Sequence, residues 1–440
     1  MTKKMHIKIR KSPQTVIEFM ILYFCIMGTL LLLGAPHAIG YVLDLCCVVL
    51  LLCLMTGNKL KKIIQNKLVL LQLLMILAGI IIAIVNGVCP LLVAWSLRNF
   101  LRFLIFFGCC IHYLTSHDYE RIINKLNILF YINVAMVAFE FSVLHLTADE
   151  IGGIFGATQT TNGDLNVFLI IMTTYYVIKW EKKEKTFAGL VIILAINMFI
   201  SILAELKIFF FEVVVIFALV FIISRIISPG KKISFKWIAL IIAGIVILRI
   251  AIDYLGRVYT NWAGFFTYEK IIRELTRTGG YSNRGDINRF TFMKIIDKQI
   301  FQGDAFSKIF GIGLGGAEFS GASDLLTSSI YNRFESLHYH YFSTSWMYVE
   351  CGIVGLVLYI MSLLSPAFKG IHYICKKKEK DNRWLIFGIT ISFISIILII
   401  YNQSMRLPSA YLIYWIMAAV FINRKEPKCS SVYEDIPIHR

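Results

Sequence analysis

The sequence predicts an all-α integral membrane protein, with about 12 transmembrane helices and one large extracytoplasmic loop carrying amphipathic helices. Three observations predict it. Of the 440 residues, 58% are hydrophobic and 16% charged, with a mean hydropathy of +0.72, against about 25% charged residues in a soluble domain. Apolar runs of about 20 residues, the length one helix needs to cross the hydrocarbon, recur along the chain, and the alternating pattern of a membrane barrel is absent. Lys and Arg concentrate in alternate connections, the pattern of cytoplasmic loops. That distribution accounts for most of the net charge of +17 and removes nucleic acid as the expected partner. The ten cysteines lie mostly in apolar spans, none lies in the large loop, and they read as small buried apolar residues.

The N-terminus, with Lys3, Lys4, Lys8, Arg10 and Lys11, is basic and is expected in the cytoplasm. Span 1 is expected at about 16–35, already long enough to cross and so not a cleaved signal. Span 2 follows at about 38–56, before a cytoplasmic loop marked by Lys59, Lys61, Lys62 and Lys67. Spans 3, 4 and 5 fall at about 67–86, 91–114 and 122–145, and an outer loop runs from Thr147 to Asp164. Span 6, about 165–180, returns to the charged Lys179–Lys185 segment. Spans 7 and 8, about 186–204 and 208–227, are joined outside by Glu205 and Lys207, and span 9 covers about 236–254. Spans 10, 11 and 12 fall at about 343–364, 385–401 and 410–422, separated by a basic inner loop around Lys376 and an outer turn with Arg406 and Pro408. Three regions result. Residues 1–254 form an N-terminal transmembrane bundle of about nine spans. Residues 255–342 form the large extracytoplasmic loop, and residues 343–440 form a C-terminal bundle of about three spans with a cytoplasmic tail.

Within the large loop, Phe265–Arg277 and Ile287–Phe301 place apolar residues on one helical face, as helices do that lie on a membrane surface or cap a cavity. Arg98 and Arg102 are four apart, hence on one face of span 4. Buried arginine is costly in a membrane, so the pair calls for a polar cavity or for ion-pair partners such as Glu140 or Glu18. Lys207 is either self-paired with Glu205 or a cation at the outer mouth. Arg289 is either a solvated helix residue or a fork that grips phosphate oxygens. Gly311, Gly313 and Gly316 match G-x-G-x-x-G, but no βαβ unit surrounds them, so they read as a tight turn leading into a re-entrant or close-packed segment. His338 and His340 precede span 10 among Tyr339, Tyr341 and Trp346. They belong either to an aromatic belt or to proton transfer and phosphate binding. Two histidines without further ligands make a poor metal site.

Taken in order, these pieces resemble the Wzy-type polysaccharide polymerase and O-antigen ligase superfamily. The resemblance is carried by Gly153, Gly156 and Asn162 at one span start, by Glu205–Lys207, and by Arg289 upstream of the Gly311–Gly316 turn. His340 followed by Tyr341 and Phe342, and Glu350, Gly352 and Gly355 opening span 10, complete it. It covers about residues 150–365. Asn does not follow the histidine, and Lys stands at 207 where many members have Arg. The resemblance implies a metal-independent membrane glycosyltransferase without a cofactor, at the outer face of the bacterial cytoplasmic membrane. It would polymerise undecaprenyl-pyrophosphate-linked oligosaccharide repeats into a capsular or other surface polysaccharide. Membrane lipids, a chain-length regulator and a flippase are the partners it implies. His340 or His338 would act as base or phosphate contact, and Arg289, Arg98, Arg102 and Lys207 would bind the diphosphate. A ligase of the same superfamily shares this site; a flippase or transporter of lipid-linked sugars is the alternative from a different class.

Overall fold

The structure, a computed structural model, describes residues 12–56, 58–158, 161–227, 269, 272, 276–277, 286–321, 323–377 and 383–424. The expected span 9, the N-terminal basic cluster, most of Phe265–Arg277 and the C-terminal tail lie outside these residues. Among the described residues the regular structure is entirely helical. In chain order the helices are α1 (Ser12–Leu32), α2 (Val42–Met55), α3 (Lys59–Ile64), α4 (Lys67–Val85), α5 (Pro90–Tyr113), α6 (Ser116–Ser142), α7 (Thr161–Glu181), α8 (Phe187–Leu203) and α9 (Lys207–Ile227). After the gap come α10 (Phe292–Gln299), α11 (Ala305–Phe310), α12 (Ser329–Phe334), α13 (Ser343–Lys377), α14 (Arg383–Tyr401) and α15 (Ala410–Ala418). Eight described helices are long and apolar enough to cross a membrane: α1, α2 with the turn before it, α4, α5, α6, α9, α13 and α14. Shorter apolar helices occupy Phe187–Leu203 and Ala410–Ile422.

Burial sorts the helices into a centre and a periphery. All of α15 and most of α7 and α14 are enclosed by protein. α15 packs on α5 and α14, α14 on α9 and α13, and α7 on α8 and α9. The outer helices instead turn large apolar side chains outward: Leu45 is 66% exposed, Leu77 55% and Ile84 74%. A water-soluble fold does not leave such a continuous apolar rim; facing lipid tails it costs nothing.

The two ends of the bundle differ. At one end Arg121 bridges to Glu18 at 2.9 Å, Arg383 reaches Glu184 at 3.2 Å and Glu120 at 3.5 Å, and Gln14 donates to the carbonyl of Tyr113. These segments are the ones grouped as cytoplasmic by their basic residues. At the other end, Asn86 donates to the Ile312 carbonyl, Ser404 to that of Gly163, and the Ser343 N–H to that of Asn402. The segments expected outside therefore meet one another.

Two expectations need correction. The helix expected at about 343–364 runs on to Lys377, with Pro366 inside it. Proline supplies no N–H to the carbonyl four residues back, and the Ser365 hydroxyl donates to that carbonyl, of Ser362, at 2.8 Å, so the helix continues. Within Ile287–Phe301 the regular helix is only α10, and its apolar face is spent on protein. Phe292 and Ile296 are buried, and the rings of Phe292 and Phe301 lie 5.9 and 5.4 Å from that of Tyr348 on α13.

Candidate active site

The glycine turn is a wedge driven between helices. Ile312 and Gly313 donate to the carbonyls of Val349 and Glu350 at 3.0 and 2.9 Å, and Leu314 donates to that of Gly79 on α4 at 2.9 Å. The wedge takes up α13 carbonyls where that helix breaks at Gly352, whose φ is 61°; insertion into the backbone ladder is an established cause of a kink. Gly313, at φ 100°, leaves no room for a side chain: a Cβ there would lie 2.3 Å from Cα of Ala83. The close-packed reading of this motif holds. Its N–H groups are spent on protein, with Gly315 donating to Oε1 of Glu350 at 3.0 Å.

Glu350 opens a buried charge network at this end of the bundle. Its Oε2 accepts from Ser96 at 3.3 Å and faces Nη1 of Arg406 at 3.8 Å. Arg406 donates to Glu318 at 3.0 Å and lies over the Trp346 ring, 3.4 Å from its centroid. Asn99 also donates to Glu318, at 3.2 Å. Arg102 donates to the backbone carbonyl of Arg406 at 2.9 Å and stands over Phe103. Arg98 pairs with Asp44 and with Asn99, its guanidinium 4.3 Å from the Trp95 ring. The partner of the Arg98–Arg102 face is thus Asp44. Glu18 serves Arg121 and Lys125, and Glu140 accepts from Gly153. Among the described residues no carboxylate comes within salt-bridge distance of Arg102.

His340 sits next to this network, 7% exposed, in a shell of rings from Phe319, Tyr331, Tyr339, Tyr341 and Trp346. Its Nδ1 is buried with no hydrogen-bond partner. Burial, and then neighbouring His338, depress its pKa to about 4, so the ring is neutral near pH 7 with a nitrogen able to take a proton. His338 adopts left-handed backbone (φ 51°) and stacks on Tyr341 at 4.7 Å. Behind two of these rings, Phe319 and Tyr331, lies an open groove of about 790 Å³. Phe319 and Tyr331 stack at 4.3 Å on its wall, and Asp324, Asn332 and Glu335 supply polar groups.

The remaining predicted cations, Arg289 and Lys207, have other neighbours. The Arg289 guanidinium lies 4.3 Å from the Tyr401 ring and 5.3 Å from that of Phe342. Lys207 pairs with Glu205 at 3.7 Å and interacts with Asp149, which accepts from Asn162 at 2.6 Å. Burial, then Glu205, raise the pKa of the Asp149 carboxyl. Arg98 and Arg102 are therefore held near Arg406, while Arg289 lies against Tyr401 and Phe342 and Lys207 beside Glu205 and Asp149. Asn162 reaches the Lys207 side through Asp149.

Arg406 and Glu318 are the principal residues missed by sequence reasoning. Arg406 reads as an ordinary charge in a short outer turn, because its carboxylate partner lies 88 residues away. The available signal was its setting. It is an arginine between two apolar spans, and the chain also places two acids, Glu318 and Glu350, on either side of one histidine-bearing segment. No protein-family model matches the chain, and no curated protein matches it in sequence.

Proposed function

We propose that this protein is a membrane glycosyltransferase that joins undecaprenyl-pyrophosphate-linked oligosaccharide repeats into a surface polysaccharide at the outer face of a bacterial cytoplasmic membrane. One observation carries the reading: a neutral, buried histidine packs against the aromatic wall of an acid-lined groove and, through Trp346, neighbours the charge network of Arg406, at one end of an apolar helical bundle. Stacked rings beside carboxylates and amides suit a glycan, whose C–H faces pack on aromatics while its hydroxyls need acceptors. In this scheme the acceptor hydroxyl attacks the anomeric carbon of the donor as its bond to pyrophosphate breaks. His340 takes the hydroxyl proton as general base. Arg102, with no carboxylate within salt-bridge distance among the described residues, faces the negative charge that develops on the leaving diphosphate. Arg289 and Lys207 bind the diphosphate of the donor.

The test is His338→Ala and His340→Ala made separately in the native host, following polymer length and the amount of protein in the membrane. His340→Ala should leave protein normal and accumulate single lipid-linked repeats on the outer leaflet. A shift only in what the glycan is attached to would assign the ligase activity instead. Repeats trapped on the cytoplasmic leaflet would make the protein a flippase, and normal polymer in both variants would remove the histidines from the chemistry.

A further inference from the structure

A second cleft lies at the opposite end of the bundle, where α6, α7 and α8 meet, and it has no part in the chemistry proposed above. It encloses about 410 Å³, within the range of small-molecule sites. Its floor is Tyr175 and Tyr176, both buried, and Asn124, Asn127 and Tyr131 follow one face of α6 along its wall. Two half-buried lysines close over it. Lys179 donates to the Tyr175 hydroxyl at 3.2 Å, and Lys185 stands 4.4 Å from the Tyr176 ring.

The two lysines outnumber the one acid, Glu184, in the lining of this cleft. Among the described residues no carboxylate comes within salt-bridge distance of Lys179 or Lys185. Glu184 lines the cleft but is engaged by Arg383 at 3.2 Å. Asn124 and Asn127 supply side-chain N–H donors, the Asn127 oxygen being occupied by the Tyr176 hydroxyl, and the Tyr131 and Tyr175 hydroxyls line the same cleft. Two ammonium groups and several O–H and N–H donors, set at the polar edge of an apolar bundle, complement phosphate oxygens.

We propose that this cleft binds a phosphate-bearing anion, either the headgroup of an anionic phospholipid or a soluble phosphate. The experiment compares the wild type with a Lys179→Gln/Lys185→Gln variant and with a Lys61→Gln/Lys62→Gln control. The control removes two exposed lysines at the same end but outside the cleft. Each is placed in nanodiscs of phosphatidylcholine with increasing phosphatidylglycerol, and separately in phosphatidylcholine with increasing inorganic phosphate, and thermal unfolding is followed. A phospholipid site requires that phosphatidylglycerol raise the unfolding temperature of the wild type and the control. The cleft variant then needs roughly thirtyfold more of it, the effect of two cations near a surface. A rise with inorganic phosphate alone, lost in the cleft variant, assigns a soluble ligand. Equal responses in the wild type and the cleft variant, or an equal loss in the control, would overturn the proposal. Neither result bears on glycan transfer at the other end.

Discussion

Two glycine turns at the same end of the bundle are each fastened by a buried glutamate, yet among the described residues only one of these glutamates meets a cation. Glu140 accepts the Gly153 N–H at 2.7 Å, and neighbouring Asn133 accepts that of Ile154 at 3.1 Å. Glu350 accepts the Gly315 N–H at 3.0 Å. The difference lies in the other oxygen. Oε1 of Glu140 is buried without a partner, and among the described residues no cation approaches that carboxylate. Oε2 of Glu350 faces Arg406, which also binds Glu318. The first turn is a fastening for the backbone. The second is a fastening with a cation attached, and that cation ties the glycine wedge, α5 and the 402–409 turn to the neighbourhood of His340.

The most direct way to break this comparison is Arg406→Ala. Removing one partner of a buried ion pair strands the other charges and costs roughly 3–5 kcal/mol, here with two acids left behind. Little monodisperse protein should survive detergent extraction. Wild-type yield and melting temperature would mean that the two acids do not depend on this cation.

A smaller effect is expected from acid. His340 titrates near 4 in the folded chain, against an ordinary value of 6.5, because burial disfavours the imidazolium. The unfolded chain therefore takes up the proton first as pH falls. The stability contributed by the neutral ring is complete above pH 6.5, declines between 6.5 and about 4, and is lost below that. The total is roughly 3 kcal/mol. Thermal unfolding of the detergent-solubilised protein across this window should show the decline, and His340→Gln should flatten it. An unchanged slope in that variant would place the responsible group elsewhere.

The smallest effect sharpens the contrast from the other side. In Glu140→Gln the amide oxygen can still accept from Gly153, and no cation is stranded, so the melting temperature should move by the equivalent of about 1 kcal/mol or less. A loss as large as that of Arg406→Ala would show that Glu140 too has a charged partner.

Much of this was legible from local pattern. Apolar runs located α1, α4, α5, α9 and α14 within a few residues, because the length of a span is set by the hydrocarbon it crosses. Positive φ at Gly311, Gly313 and Gly315 agrees with a motif read as a turn, because glycine density reports backbone geometry directly. The extent of α13 was less legible. Pro366 signals a helix end, and only the neighbouring serine hydroxyl makes it tolerable. The site was legible in part. Arg98 and Arg102 share a helix face by spacing alone, but that their carboxylate partner is Asp44, and that His340 is enclosed by rings, depends on contacts between separate helices.

By itself the sequence determined the helical membrane class, the positions of most spans and the grouping of their connections, since hydropathy and positive charge act residue by residue against the surrounding solvent. The tertiary structure alone decided which charges meet. Ser96 reaches Glu350 across 254 residues and Arg406 reaches Glu318 across 88, and no periodicity encodes such separations. In a low-dielectric interior each buried charge must find an opposite charge or a set of dipoles, but which one it finds is settled by how the helices pack.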